Sequence, residues 1–219
     1  MSADSSLALG LQVLAGLSLA ACCGLRAFLP PFVIGLVARL GAADLLPVDP
    51  LPLADSLHWL SSTPALIVFG AATVFELLAD KVPVVDHVLD VVQTIVRPLS
   101  GALVFAAALS DVSPLAGAIA GLLAGGSVAG GVHVLKAKIR LLSTLGTGGI
   151  ASPVLSTLED LFALAGSFLA MVAAVFAAIL VAGGVLFTLY LVIKFLRRVS
   201  RLDPGRAAEV QNRSSDITI

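Results

Sequence analysis

The feature that most constrains this chain is a set of long stretches without charged side chains. Residues 113–135, SPLAGAIAGLLAGGSVAGGVHVL, contain no Asp, Glu, Lys or Arg, and only two charged residues occur between 154 and 193. A helix as long as the first stretch measures roughly 35 Å, which is enough to cross the hydrocarbon core of a bilayer at roughly 30 Å. Hydrophobic residues make up 58% of the chain and charged residues 12%, against about 45–50% and about 25% in soluble domains. The sequence therefore predicts an integral membrane protein.

Helical spacing dominates the apolar segments, and the alternating pattern of an outer-membrane barrel strand is not seen. The runs at 7–25, 64–79 and 113–135 each approach the length of one span. We expect an all-α polytopic membrane protein with about five to six transmembrane helices, some of them broken or re-entrant. The block 154–193 is too long for one conventional span. It predicts either two spans with a turn near Gly183 or one long, tilted helix.

We expect a single helical transmembrane domain over residues 1–201. Within it, the Pro- and Asp-rich segment 41–63 is interpreted as an extramembrane loop, and 202–219 is interpreted as a flexible cytoplasmic tail. Basic residues flank the last apolar block: Lys194, Arg197, Arg198, Arg201 and Arg206. By the positive-inside rule they place the C-terminus in the cytoplasm, and they predict contact with anionic lipids. The net charge of −1 argues against a nucleic-acid-binding protein.

Glycines recur at nearly four-residue spacing in GLLAGGSVAGG, which covers the Gly121–Gly131 stripe. Small residues at this spacing let two helix backbones approach closely in a membrane. The stripe predicts a packing surface for another helix of the same chain or for a homo-oligomer. A glycine-lined permeation path is the alternative.

Two short matches indicate a weak internal repeat. GLRAFLP at 24–30 resembles VLKAKIR at 134–140, and PVVDHVLDVV at 83–92 resembles PVLSTLEDLF at 153–162. Inverted repeats are common in transporters, which often bind their solute at the repeat interface. We therefore include an inverted repeat among the expectations.

Charged residues are concentrated in one segment, ELLADKVPVVDHVLDVVQTIVRP, at 76–98. Once the tail, termini and evident loops are set aside, six acids and six bases remain in the membrane-like part: Glu76, Asp80, Asp86, Asp90, Glu159 and Asp160, and Arg26, Lys81, Arg97, Lys136, Lys138 and Arg140. An unpaired charge at the middle of a bilayer costs at least about 2.5–3.5 kcal/mol. These groups are therefore expected to pair, to face water or to lie at the interface.

The spacing of the acids places them in pairs on helix faces. Glu76 and Asp80 are four residues apart, as are Asp86 and Asp90, and a proline separates the two pairs. Thr94 and Arg97 extend the second pair into one polar stripe, with valines on the opposite face. Like charges at this spacing repel one another unless a base, a proton or a metal ion intervenes.

Three interpretations of these charges remain open. The first is a channel or transporter for an ion or small polar solute, because ionisable groups inside membranes usually mark pathways. Its pathway residues are Arg26, Glu76, Asp80, Lys81, Asp86, Asp90, Thr94, Arg97, His133, Lys136, Glu159 and Asp160. The second is a structural network of salt bridges. The third is a metal-dependent enzyme acting on a lipid phosphate or pyrophosphate.

The enzyme interpretation rests on Asp86 and Asp90, the pair that would hold a magnesium ion. Hydrolase, zinc-protease, nucleotide-binding and dinucleotide-binding motifs are not found in the sequence. The sequence therefore favours a protein that is not an enzyme, and it implies no cofactor strongly.

Three segments carry a family resemblance: GLRAFLP, ELLADKVPVVDHVLDVVQTIVRPLSGAL and ASPVLSTLEDLFAL. They resemble a bacterial family of integral membrane proteins known only as domain-of-unknown-function family 4126. The match runs from about Ser6 to Ile193, and its most specific part is the run from Asp80 to Pro98. Before Pro153 the family pattern has Asn, where this chain has Ser152. The resemblance implies a helical protein of the bacterial inner membrane and carries no established activity.

Overall fold

The computed structural model describes residues 3–46, 50–79, 83–147 and 152–174, and then residues 176, 179, 183–187, 190, 193 and 194. The described residues up to 174 form seven α-helices: α1 Ala3–Leu25, α2 Leu29–Ala42, α3 Thr63–Ala79, α4 Pro83–Ala108, α5 Pro114–Ala120, α6 Gly126–Thr147 and α7 Ser152–Val172. A 3-10 helix, Asp55–Ser61, precedes α3, and a π-helical turn, Gly121–Gly125, joins α5 to α6. The described part of the chain contains no strand, so the all-α prediction is confirmed.

Within the described residues, four helical segments have the length and composition of a membrane span: Asp4–Leu25, Val91–Ala108, Pro114–Leu141 and Leu155–Val172. The 3-10 helix and α3 form a pair bent by 64°, and counting it as one broken span raises the number to five. Helix α2 is apolar but shorter, with 14 residues. Five spans including a bent one agree with the lower end of the predicted range.

Helix α1 packs against α4, α6 and α7 and occupies the centre of the bundle. In the first half of α1, Gln12 Nε2 donates to Ser110 Oγ at 2.8 Å, and Ser110 lies just beyond the last residue of α4. Near its end, the carbonyl of Gly24 accepts a hydrogen bond from Arg97, half-way along α4. The two helices are therefore antiparallel. We call the two ends of this bundle the Gln12 end and the Arg26 end.

The loop before the 3-10 helix packs on the Gln12 end. The backbone N–H of Leu51 donates to the carbonyl of Met171 at 2.6 Å, and that of Ala54 donates to the carbonyl of Ala107 at 2.9 Å. Leu53 is buried in the hydrophobic core, so this part of the 41–63 segment belongs to the packed bundle.

Four glycines of the Gly121–Gly131 stripe lie against α4 of the same chain: Gly121, Gly125, Gly126 and Gly130. A Cβ atom on Gly121 would clash with the Ala102 carbonyl, and one on Gly125 would clash with the Gly101 carbonyl. Gly126 also lies against α4, whereas a Cβ on Gly131 would meet open space. The stripe thus serves packing within the chain, and its use in a homo-oligomer stays a prediction.

The chain divides into two compact units, Met1–Ala182 and Gly183–Ile219. In the second unit, the described residues 183–187, 190, 193 and 194 are helical. The basic residues Arg197, Arg198, Arg201 and Arg206 lie outside the described residues, as does the whole segment 202–219. Whether the block 154–193 forms two spans or one stays a prediction, as does the internal repeat.

Candidate functional site

The site is built around a break between α1 and α2. Helix α1 ends at Leu25, helix α2 begins at Leu29, and Pro30 and Pro31 stand in the first turn of α2. A proline lacks an N–H group, and its ring clashes with the carbonyl four residues earlier, here those of Arg26 and Ala27. Two consecutive prolines therefore strongly disfavour a continuous helix at this point, and the backbone groups beside the break need other partners.

Two cationic side chains satisfy the carbonyl end of α1. Arg97 Nη1 donates to the Gly24 carbonyl at 3.0 Å, and Lys136 Nζ donates to the Leu25 carbonyl at 2.9 Å. Both side chains are buried. The C-terminus of a helix carries the negative end of its dipole, so cations are favourable partners there.

One carboxylate satisfies the amide end of α2. Glu76 Oε1 accepts from the backbone N–H of Ala27 at 2.9 Å, and its Oε2 accepts from that of Phe28 at 3.2 Å. The Glu76 residue is 1% exposed. A negative charge at a helix N-terminus complements the positive end of the dipole. The charges of the membrane-embedded side chains thus match the polarity of both broken ends.

Glu76 and Arg97 also belong to one buried network. Gln93 Nε2 donates to Glu76 Oε1 at 2.9 Å, and the side-chain oxygen Oε1 of Gln93 accepts from Arg97 Nη2. Arg97 Nη2 also lies 3.7 Å from Glu76 Oε1. On the other side of Arg97, Nη1 lies 2.8 Å from His133 Nδ1. Because guanidinium only donates, His133 Nδ1 accepts and the ring proton is assigned to Nε2. That nitrogen lies 3.4 Å from Thr94 Oγ1.

A second set of ion pairs ties α7 to the break. Arg26 Nε lies 2.5 Å from Asp160 Oδ1, and Arg26 Nη2 donates to Ser156 Oγ at 2.9 Å. Lys136 Nζ lies 2.8 Å from Glu159 Oε2. Arg26 is fully buried, whereas the Asp160 side chain is 33% exposed.

A small pocket lies beside this second set. It is lined by His133, Lys136, Ala137 and Arg140, and its volume is about 10 Å³. A space of this size holds about one water molecule. Arg140 Nη2 also lies 3.9 Å from Glu159 Oε2.

Eight of the predicted pathway residues meet in one place, which we call the charged centre: Arg26, Glu76, Thr94, Arg97, His133, Lys136, Glu159 and Asp160. Their role as a pathway stays a prediction. Asp80 and Lys81 lie outside the described residues. Asp86 and Asp90 lie in α4, but their side chains lie outside the description. Lys138, one of the six bases, is exposed on α6.

The sequence did not reveal that the charges bind backbone groups. The five residues from Gly24 to Phe28 provide four backbone groups that bind charged side chains, yet only Arg26 among these residues carries a charge. The signal was the pair of prolines just after Arg26, which predicts free backbone groups. Gln93, a neutral residue, lies at the middle of this network and bonds to both Glu76 and Arg97.

No group of three or more His, Cys, Asp or Glu side chains suited to a metal ion is found in the described part of the chain. The proposed magnesium pair, Asp86 and Asp90, is outside that description. The metal-dependent alternative therefore stays a prediction.

The comparisons with known proteins give a family and no activity. A search of curated proteins and a search of solved structures each find no match. A family model described as "Domain of unknown function (DUF4126)" matches residues 13–194, which include every described residue of the charged centre. The sequence, the apolar helices and this match agree, and the chain belongs to the DUF4126 family.

Proposed function

We propose that this membrane protein carries an ion or a small polar solute across the bilayer, and that the charged centre is its binding site. One observation carries the proposal: a broken helix inside the bundle presents two carbonyls to cations and two amides to an anion. Broken helices near the middle of the membrane bind ions and solutes in transporters, through these same freed backbone groups.

The position of the charges along the helices supports the proposal. Arg97 lies within the apolar window Val91–Ala108, and Lys136 lies within Pro114–Leu141. Non-helical backbone at membrane depth is tolerated only where protein or water surrounds it. A protein that only spans a membrane does not need such a break, because a continuous apolar helix satisfies its own backbone hydrogen bonds at a lower free-energy cost.

The centre offers competing partners for solutes of either sign. A cation that approaches the Gly24 and Leu25 carbonyls competes with Arg97 and Lys136. An anion that approaches the amides at the start of α2 competes with Glu76. We assign Asp86 and Asp90 the role of coordinating or protonating acids, and Arg26 that of a counter-charge. The proposed setting is the bacterial inner membrane, with the C-terminal tail in the cytoplasm at anionic lipids.

The test is flux in proteoliposomes, measured in turn for protons, sodium, potassium, magnesium and chloride. Wild type is compared with Glu76→Gln and Asp90→Asn, which remove one charge each and keep the side-chain shape. Asp55→Asn is the matched control, because Asp55 is an exposed carboxylate on the 3-10 helix. Flux in wild type and in the control, with loss in the two other variants, supports the proposal. Flux that is equal in all four proteins contradicts it.

A structural role is the second candidate, and the same contacts favour it. Glu76, Arg97 and Lys136 all hold partners inside the protein, which locks the ends of α1 and α2 without any solute. This role predicts no flux for any ion in wild type, together with a large loss of stability in Glu76→Gln. Chemical unfolding of the proteins used for flux therefore separates the two candidates.

A further inference from the structure

We propose that the pocket on α6 lined by His133, Lys136, Ala137 and Arg140 binds a phosphate group, presented by an anionic lipid. Binding at this pocket does not depend on transport, since a lipid can occupy it whether or not a solute crosses the membrane. The pocket is also separate from the basic residues that flank the last apolar block of the chain.

Basic side chains form most of the pocket lining. His133, Lys136 and Arg140 follow one another at three- and four-residue spacing, so they lie on one face of α6. The side chains of Lys136 and Arg140 are only 3% and 13% exposed. Salt screens the charges of buried groups much less than those of exposed groups. The pocket therefore attracts anions.

The Lys136 ammonium has a donor left for a ligand. An ammonium group carries three N–H donors, and within the described part of the chain it meets two acceptors, the Leu25 carbonyl at 2.9 Å and Glu159 Oε2 at 2.8 Å. The pocket volume of about 10 Å³ holds about one water molecule, and one oxygen of a phosphate group is of similar size. The pocket thus accepts one phosphate oxygen, while the rest of the group stays outside.

Arg140 is the second group suited to phosphate. Its planar guanidinium carries five N–H donors in a geometry that matches phosphate oxygens. Arg140 Nη2 lies 3.9 Å from Glu159 Oε2, the same oxygen that Lys136 contacts. One carboxylate is therefore shared by two cations, and these three side chains together keep a positive charge. The Glu159 carboxylate competes with an incoming anion, so loss of its charge should tighten binding.

The pocket lies near one end of a membrane-spanning segment. Arg140 is the penultimate residue of the 28-residue apolar window Pro114–Leu141. A helix of this length measures roughly 42 Å. That length exceeds the hydrocarbon core of a bilayer, roughly 30 Å, and matches the roughly 40–45 Å of a bilayer with its headgroups. The end of the window therefore reaches the depth at which lipid phosphates lie.

An exposed apolar stripe on α6 favours a lipid as the source of the phosphate. Val134, Ala137 and Leu141 are exposed and follow one another at three- and four-residue spacing. Ala137 also lines the pocket, so the stripe runs directly beside it. An acyl chain lying along this stripe adds contacts that free phosphate cannot make. Basic pockets between membrane helices bind anionic lipid headgroups in other proteins.

The test is lipid binding to the full chain in a neutral detergent, measured by native mass spectrometry. Phosphatidylglycerol should bind about tenfold or more tightly than phosphatidylcholine, because the choline cation is repelled by Lys136 and Arg140. Inorganic phosphate, titrated by calorimetry, is the second arm and should bind more weakly than phosphatidylglycerol. Equal binding of the two lipids together with binding of inorganic phosphate would overturn the assignment to a lipid and leave free phosphate as the ligand.

Ala137→Glu is the sharpest variant, because it adds a carboxylate to the pocket lining at an exposed position. It should weaken binding of phosphatidylglycerol about tenfold or more. Lys138→Gln is the matched control: it changes the net charge by the same amount at the neighbouring exposed position, and Lys138 is not one of the four lining residues. The control should bind like wild type.

Two further variants have effects of opposite sign. Arg140→Gln should weaken binding of phosphatidylglycerol about tenfold, and Glu159→Gln should tighten it. If either variant fails to fold, the comparison of Ala137→Glu with Lys138→Gln decides alone. Equal losses in those two proteins would show that the lipid responds to the overall charge of the helix end, and would overturn the pocket. Wild type that binds neither phosphatidylglycerol nor inorganic phosphate would overturn it as well.

Discussion

The two ends of the bundle satisfy their polar groups in different ways. At the Gln12 end, a buried amide donates to Ser110 Oγ and Asp111 Oδ2, and loop backbone pairs with the last carbonyls of α4 and α7. At the Arg26 end, buried charged side chains, and not loop backbone, form the hydrogen bonds to the backbone groups at the helix ends. The Gln12 end shows that a helix end in this bundle can be closed largely with neutral partners. Burying charged groups at the Arg26 end costs more free energy than closing a helix end with neutral groups. The Arg26 end is therefore the better candidate for a functional site.

The largest effect is expected for removal of Arg97. Arg97→Met keeps much of the side-chain volume but leaves Glu76 without its nearest described cation and the Gly24 carbonyl without its donor. Breaking a buried ion pair costs about 3–5 kcal/mol. Chemical unfolding in detergent, followed by circular dichroism, should show a loss of this order. A change below that of any Gln12-end variant would contradict the contrast between the ends.

A smaller loss is expected for Glu76→Gln. The amide oxygen can still accept one backbone N–H group at the start of α2, but the charge that complements Arg97 is removed. Charged hydrogen bonds contribute about 1.5–3 kcal/mol, and we expect a loss in free energy of unfolding within this range. The double variant with Arg97→Met should lose less than the sum of the two single losses, because the groups are coupled. Additive losses would show that Glu76 and Arg97 act independently.

At the Gln12 end we expect a loss of about 1–2 kcal/mol. Gln12→Leu removes two donated hydrogen bonds while preserving apolar packing, one to the Ser110 hydroxyl and one to the carboxylate of Asp111, which is exposed. Neutral hydrogen bonds contribute about 0.5–1.5 kcal/mol each, and solvent weakens the charged bond to Asp111 toward this range. The same unfolding assay measures it, and Gln12→Glu serves as a companion that places a second acid beside Asp111. A loss as large as that of Arg97→Met would mean that both ends depend equally on polar side chains.

The smallest effect is expected for Lys138→Gln. Lys138 was counted among the six bases of the membrane-like part, but it is exposed on α6. Exposed substitutions usually change stability by less than about 0.5 kcal/mol. Both unfolding and proteoliposome flux should match wild type. A clear defect would show that position along the chain, rather than burial, decides which charges matter.

Much of this contrast was visible in the sequence. The class followed from apolar length, and broken helices were among the expectations. The grouping of acids and bases in a chain that avoids charge predicted that Arg97 and Glu76 would find partners. These inferences depend only on residues that are close together in the sequence.

The partners themselves were not visible. Glu76 binds amides nearly fifty positions earlier in the chain, and Lys136 binds a carbonyl more than a hundred positions earlier. Such pairs depend on the antiparallel packing of α1 and α4 and on the direction of α6, which no local spacing specifies. The four-residue spacing of Glu76 and Asp80 suggested a shared face of acids, whereas the backbone at the break determined the position of Glu76.

The π-helical turn at Gly121–Gly125 has a consequence for how this family can vary. A π turn holds one residue more than an α turn, and each residue of a helix rotates the following side chains by about 100°. The direction in which the side chains of α6 point is therefore set by a glycine-rich segment ten or more residues before Lys136. Deleting one residue there would turn Lys136 and His133 away from their partners while leaving the composition of the charged centre intact. The length of this segment is thus as much a part of the site as the charged side chains themselves.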